Sequence, residues 1–184
     1  MQATKTLIDE HRVIERVLAV LEKAADGLES DQGVPVEFFL NAADFIKGYA
    51  DGSHHIKEEG LLFPAMEAAG IPRQGGPIGV MLAEHEEGRR LTRLMRAAAE
   101  KLAAGETAAK SEVIVNARAY TRLLHQHIAK EDQVLFPMAD RVIQVPAQSS
   151  LEQEFERAVQ AEITAGVHEK YLALVEQLEL QLQA

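Results

Sequence analysis

The sequence predicts an all-α fold, an antiparallel up-down four-helix bundle with an appended C-terminal helix. Three observations predict it. Apolar residues recur at steps of three and four along almost the whole chain, which is the period of a helix face. Ala, Glu and Leu dominate the composition, a mixture that favours helix over strand. Gly- and Pro-containing breaks divide the periodic stretches into comparable lengths joined by short connections. No stretch of useful length has the alternation of a strand.

The first helix carries Leu7, His11, Ile14, Leu18, Leu21, Ala25 and Leu28 on one seam, with a histidine inside it. Ser30-Asp31-Gln32-Gly33 ends that helix, and Pro35 stands where a first helical turn tolerates a missing amide. A second helix is expected from about Pro35 to Ala69, its seam running through Phe39, Ala43, Ile46, Ala50, His54, Glu58 and Leu61. Pro64 should kink it or end its regular part, because a proline ring clashes with the carbonyl four residues earlier. Gly70 to Pro77 is a clear break. The third helix carries Met81, His85, Gly88, Thr92, Met95, Ala99 and Leu102, and Gly105 closes it. The fourth, from about Thr107 to Val142, carries Val113, Ala117, Tyr120, Leu124, His127, Glu131, Val134 and Met138. A linker around Val145 to Ser150 then precedes a Glu-rich fifth helix reaching about Leu182. The expected division is a bundle over residues 1–145 and a helical extension over 146–184.

Composition narrows the function. A net charge of −10 argues against nucleic acid as a partner, since phosphate binding needs clustered Lys and Arg. Arg89, Arg90, Arg93 and Arg96 read more simply as a solvated helix face. No apolar run approaches the length that crosses a bilayer. The start, Met1-Gln2-Ala3-Thr4-Lys5, enters a charged amphipathic segment directly, so the expected location is cytoplasmic. There is no Cys, which removes thiolate nucleophiles, CxxC redox pairs, zinc ribbons and disulfides together. Any metal must be held by His and carboxylates.

An internal repeat locates the candidate site. Glu10-His11 and Glu84-His85 match, their histidines 74 positions apart (85 − 11). His54 to Pro64 aligns without gaps to His127 to Pro137 at an offset of 73 (127 − 54). Two copies of one helical hairpin would each supply a single His from the first helix and a His-x-x-x-Glu from the second. Packed about a pseudo-two-fold axis, they bring His11, His54, Glu58, His85, His127 and Glu131 together in the bundle core.

Residues four apart share a helix face, so His54 with Glu58, and His127 with Glu131, each present a nitrogen and an oxygen to one centre. An ionised glutamate in an apolar seam costs on the order of several kcal/mol unless compensated. Lys57 and Lys130 point roughly 100° away from their neighbouring glutamates, so a divalent cation is the economical partner. Six ligands exceed the needs of one tetrahedral zinc. Shared between two ions, they give each two imidazoles and one oxygen from each of two bridging carboxylates. Mixed nitrogen and oxygen ligation suits iron or manganese.

Several neighbours compete. His55 and Glu59 are also four apart, but Ile128 occupies the position matching His55, which favours His54 and leaves His55 peripheral. Asp132 competes with Glu131; the Glu58 register favours Glu131. His125 should face solvent and His168 reads as structural. Tyr49 and Tyr120 are either pocket walls or core aromatics, and Glu10 and Glu84 either orient the adjacent ligands or face water.

These residues resemble the hemerythrin-like family, in the branch called HHE cation-binding domains. The resemblance covers about residues 4 to 142 and rests on His11, His54-x-x-x-Glu58 with Leu62-Phe63-Pro64, Glu84-His85, and His127-x-x-x-Glu131 with Leu135-Phe136-Pro137. It implies a four-helix bundle holding two non-haem iron ions bridged by carboxylates, with Mn or Zn as substitutes. Oxygen-carrying members use two histidines four apart in the third helix, whereas here Arg89 follows His85. Their last helix pairs a His with an Asp five residues on, a spacing His127 and Asp132 also fit. The pattern is similar to the di-iron domain of bacterial iron-centre repair proteins, which usually carry a Cys-containing module. The expected function is binding or sensing of O2, NO or reactive oxygen species. The alternatives are a di-iron enzyme acting on peroxide or NO, or an iron donor in iron-centre repair. The expected partners are small molecules, with no nucleic acid and no membrane, and with a homodimer formed through the C-terminal helix.

Overall fold

A computed structural model describes residues 1–182 of the chain. Helix α1 (Gln2–Glu29) buries the predicted seam, His11 included. Helix α2 (Val36–Phe45) passes into π-helical turns over Ile46–His55 and Glu58–Leu62, and then into α3 (Phe63–Ala68). Helix α4 (Pro77–Ala103) is the third long element. A 3-10 turn, Thr107–Ala109, leads into α5 (Lys110–Lys130), a π turn over Glu131–Leu135, and α6 (Phe136–Val142). Two further helices follow, α7 (Val145–Thr164) and α8 (Val167–Gln181). There is no strand among the described residues. Helix α5 packs on α1 and α4, α4 packs on α2, and α2 packs back on α1, which closes the four-helix bundle.

The expected kink at Pro64 does not end the second helix. In both copies of the repeat a π turn lies directly before Phe-Pro, and the proline sits in the first turn of the next α segment. A proline ring collides with the carbonyl four residues back in a regular helix; the wider π turn carries that carbonyl aside. Such turns occur frequently at functional sites. Here Glu58 and Glu131 each stand at the first position of one.

The C-terminal extension differs from the single helix expected. Residues read as a linker already belong to α7, with Pro146 in its first turn. The chain reverses at Gly166, whose φ of +69° lies where only glycine is unstrained. The extension is therefore a hairpin, and it packs on the bundle rather than trailing from it. Tyr171, Val175 and Leu178 of α8 enter the larger apolar cluster, while Leu151 and Phe155 of α7 enter a smaller one at the opposite end. Gly48 permits this contact, since a Cβ there would lie 1.6 Å from the Tyr171 hydroxyl. Between the two apolar clusters lies a layer of histidines and glutamates.

Candidate metal centre

All six candidate ligands meet in that layer. His11, His54, Glu58, His85, His127 and Glu131 are at most 2% exposed. Glu58 divides its oxygens: Oε1 lies 3.5 Å from His54 Nε2 and Oε2 lies 3.4 Å from His85 Nε2. Glu131 Oε2 lies 3.3 Å from His11 Nε2 and 3.2 Å from His127 Nε2. His85 Nε2 and His127 Nε2 are 3.2 Å apart. Donors each about 2.1 Å from one ion stand roughly 3 Å apart when cis and roughly 4 Å apart when trans, so these spacings are those of a shared coordination sphere. Two groups form, each with ligand atoms within 4.8 Å of one another: His11, His54, Glu58 and Glu131, and His55, Glu58, His85 and His127. Glu58 belongs to both.

A second ring of carboxylates holds the imidazoles from behind. Glu10, next to His11 in sequence, turns to His54, whose Nδ1 lies 2.9 Å from its Oε2. Glu84 serves His127 in the same way at 3.0 Å. His11 Nδ1 meets Asp132 at 2.7 Å, and His85 Nδ1 meets Glu59 at 2.7 Å. A carboxylate can only accept, so each Nδ1 carries the hydrogen and each Nε2 faces the centre, the arrangement in which histidines bind metal. Each outer carboxylate is in turn held by a cation: Glu10 by Lys57 at 3.0 Å, Glu84 by Lys130, Glu59 by Arg89 at 2.7 Å, and Asp132 by Arg12. Asp132, the competitor of Glu131, thus stands outside the cluster on His11 Nδ1, and Glu10 and Glu84 turn to the imidazoles of His54 and His127.

Burial would make the glutamates acids and the histidines neutral, but the groups hold one another charged. Burial alone lowers His54, yet Glu58 and Glu10 outweigh it and push it up to about 10; Glu131 and Glu84 do the same for His127, also to about 10. Burial raises Glu58, and His54 and His85 more than reverse that, holding it well below the usual carboxylate range. Glu131 is likewise lowered, against both burial and repulsion from Glu58, by His127 and His11.

These pairings leave much unmet. His11 Nε2, His54 Nε2 and all four carboxylate oxygens of Glu58 and Glu131 are buried with no hydrogen-bond partner among the described residues. Unmet buried acceptors are rare and costly. Bound divalent cations would satisfy such atoms, so the residues present fit a metal group.

One residue, His55, stands otherwise than expected. His55 is not peripheral: it is 4% exposed, its Nε2 has no partner among the described residues, and it joins the second ligand group. The sequence signal for it was the pairing of Asp51 and His55 four apart, Nδ1 to Oδ1 at 2.9 Å. His168 lies outside the centre and lines a cavity of about 250 Å³ with Glu10, Tyr49 and Glu162. His125 is at the surface, 3.4 Å from Glu22. The hydroxyls of Tyr49 and Tyr120 are buried without a partner among the described residues.

Fold and site together define a metal-binding helical bundle built on histidine and carboxylate ligands. The chain belongs to the hemerythrin HHE cation binding domain family, whose model matches residues 2–139. It is similar to three curated mycobacterial proteins, each 30% identical over 135 residues: uncharacterized protein Rv1995 of Mycobacterium tuberculosis strain H37Rv, uncharacterized protein MT2051 of strain CDC 1551, and uncharacterized protein Mb2018 of Mycobacterium bovis. The similarity covers 73% of this chain and 52% of each relative, so the chain spans about half the length of the curated relatives it matches. No solved structure is significantly similar to the chain. No helix among the described residues is long and apolar enough to cross a membrane.

Proposed function

We propose that this chain is a non-haem di-iron protein that binds or senses a small ligand of the class of O2, NO or peroxide. The observation that carries the reading is the set of orphaned buried atoms: the four oxygens of Glu58 and Glu131 and the Nε2 atoms of His11, His54 and His55, on residues that form two overlapping groups. Two overlapping groups call for two ions, and mixed imidazole and carboxylate donors suit iron. Bound iron would supply redox activity and coordination positions for a small ligand. The chain's own part is to bridge with Glu58 and Glu131, to orient the imidazoles through Glu10, Glu59, Glu84 and Asp132, and to keep bulk water out with the apolar clusters on either side. Self-association through the C-terminal hairpin would have to use exposed residues such as Ile163 and Leu180, because Val175 and Leu178 are buried against the chain's own bundle.

A second reading, an enzyme consuming peroxide or NO, is favoured by Tyr49. Its hydroxyl is buried without a partner among the described residues, and the tyrosine lines the cavity that reaches Glu10. That places a potential proton donor beside the carboxylate holding His54.

Anaerobic loading with ferrous iron, metal analysis, and absorption spectra before and after O2, NO and peroxide test both readings. Two irons per chain and a spectrum that responds stoichiometrically to at least one ligand are expected. Sustained consumption of peroxide or NO selects the enzyme. A loaded protein indifferent to all three ligands overturns the small-ligand reading, and a chain that takes up no iron overturns the metal as well.

A further inference from the structure

The two halves of the centre are not equivalent. The repeat aligns Asp51 with Leu124 and His55 with Ile128, and those two second-copy residues are buried in the larger apolar cluster. The first copy puts a carboxylate and an imidazole at the corresponding places. The His55 ring stacks on His85, centroids 3.8 Å apart and planes 15° from parallel, and meets His127 edge-on at 6.0 Å. Asp51 Oδ1 accepts from His55 Nδ1 and is itself held by Arg89 Nε at 3.3 Å. The hydrogen is therefore on Nδ1, and the lone pair of Nε2 points inward with no hydrogen-bond partner among the described residues. An apolar pair serves the same position in the second copy, so packing does not require this buried polar one. A buried acceptor left unmet is destabilising, and the donor atoms of Glu58, His85 and His127 converge on it.

We propose that His55 is a fifth imidazole of the dinuclear centre, ligating through Nε2 the ion shared by His85, His127 and Glu58, with Asp51 and Arg89 as positioning residues. The other ion keeps only His11 and His54 as imidazole ligands. The centre is then lopsided, with three imidazoles at one ion and two at the other. This inference rests on the dinuclear reading above.

The test uses the full chain and a variant that copies the second half of the repeat onto the first, Asp51→Leu with His55→Ile. In the wild-type protein loaded with zinc, a crystal structure should place His55 Nε2 at about 2.0–2.1 Å from one ion. The double variant should stay helical and unfold no more easily than wild type when both are metal-free. It should bind its second zinc roughly 10- to 100-fold more weakly. Nε2 beyond bonding distance in the loaded wild type overturns the proposal, as does a folded double variant that takes two ions with unchanged affinity. If the variant fails to fold, the wild-type structure alone decides. Two ions held by four imidazoles would sink this inference and leave the di-metal reading standing. No uptake of metal would sink both.

Discussion

Glu10 precedes His11 in α1, yet its carboxylate belongs to His54, 44 residues away, which donates to it through Nδ1 at 2.9 Å. Glu84 stands in the same relation to His127. The lysine three residues after each of these histidines closes the arrangement, and Lys57, 1% exposed, also reaches Glu162 of α7 at 2.8 Å. The pseudo-two-fold repeat therefore extends beyond the six central residues to the groups that aim them.

If Glu10 and Glu84 aim the imidazoles, removing either should weaken metal binding without abolishing it. Glu10→Ala and Glu84→Ala are each expected to lower metal affinity roughly 10- to 100-fold, with Gln at either position recovering part of the loss. Competitive titration against a chelator measures this. Wild-type affinity in both alanine variants would show the carboxylates to be ordinary surface ligatures.

Loss of Glu58 or Glu131, the proposed bridges, should be more severe. Glu58 touches both ligand groups, so Glu58→Ala is expected to leave less than one tightly bound ion per chain after desalting. Glu131→Ala, which removes the oxygen between His11 and His127, is expected to lose at least one ion. Metal analysis showing two ions retained in either variant would refute the bridging role.

Proton release follows from the charges in the metal-free site. His54 and His127 are raised to about 10 from an ordinary 6.5, so both are protonated at pH 7 and must shed a proton for Nε2 to ligate. Metal affinity should therefore fall as pH falls, and loading at pH 7 should acidify an unbuffered solution. For the metal-free fold the sign is opposite. The raised values mean that these two charges stabilise it fully below about pH 6.5, and that contribution is lost as pH climbs toward 10. The gap in Tm between loaded and metal-free protein should widen from pH 7 to pH 10. A constant gap, with no proton released on loading, would contradict the site electrostatics.

Docking of the C-terminal hairpin can be tested away from the metal. Gly48→Ala puts a methyl group within 1.6 Å of the Tyr171 hydroxyl, and overpacking of this kind costs about 1–3 kcal/mol. Combining it with Tyr171→Leu should recover part of that loss, a coupling that chemical denaturation of the single and double variants would reveal. Additive losses would mean that α8 does not press on Gly48.

The all-α bundle, the two-copy hairpin and the six converging residues were legible in the linear pattern, because helical period reports which face of a helix a residue occupies. His11, His54, Glu58, His85, His127 and Glu131 share their seams with Leu and Ala, and an acid on an apolar seam announces a compensating charge. What lies across from each face was not legible. His11 meets Asp132 from 121 positions away, and no spacing rule along one helix specifies a partner on another. The same limit hid His55, which the repeat ranked below His54 because its counterpart is Ile128. Adjacent residues on a widened π turn can flank two neighbouring ligand groups, and nothing in the linear pattern marked Ile46–His55 as such a turn. The break at Gly166 was likewise a matter of backbone conformation, decided when α8 folded back to bury Tyr171, Val175 and Leu178 against the bundle. Periodicity, in short, sorted the chain into inward and outward faces, and three-dimensional packing alone chose which inward groups touch.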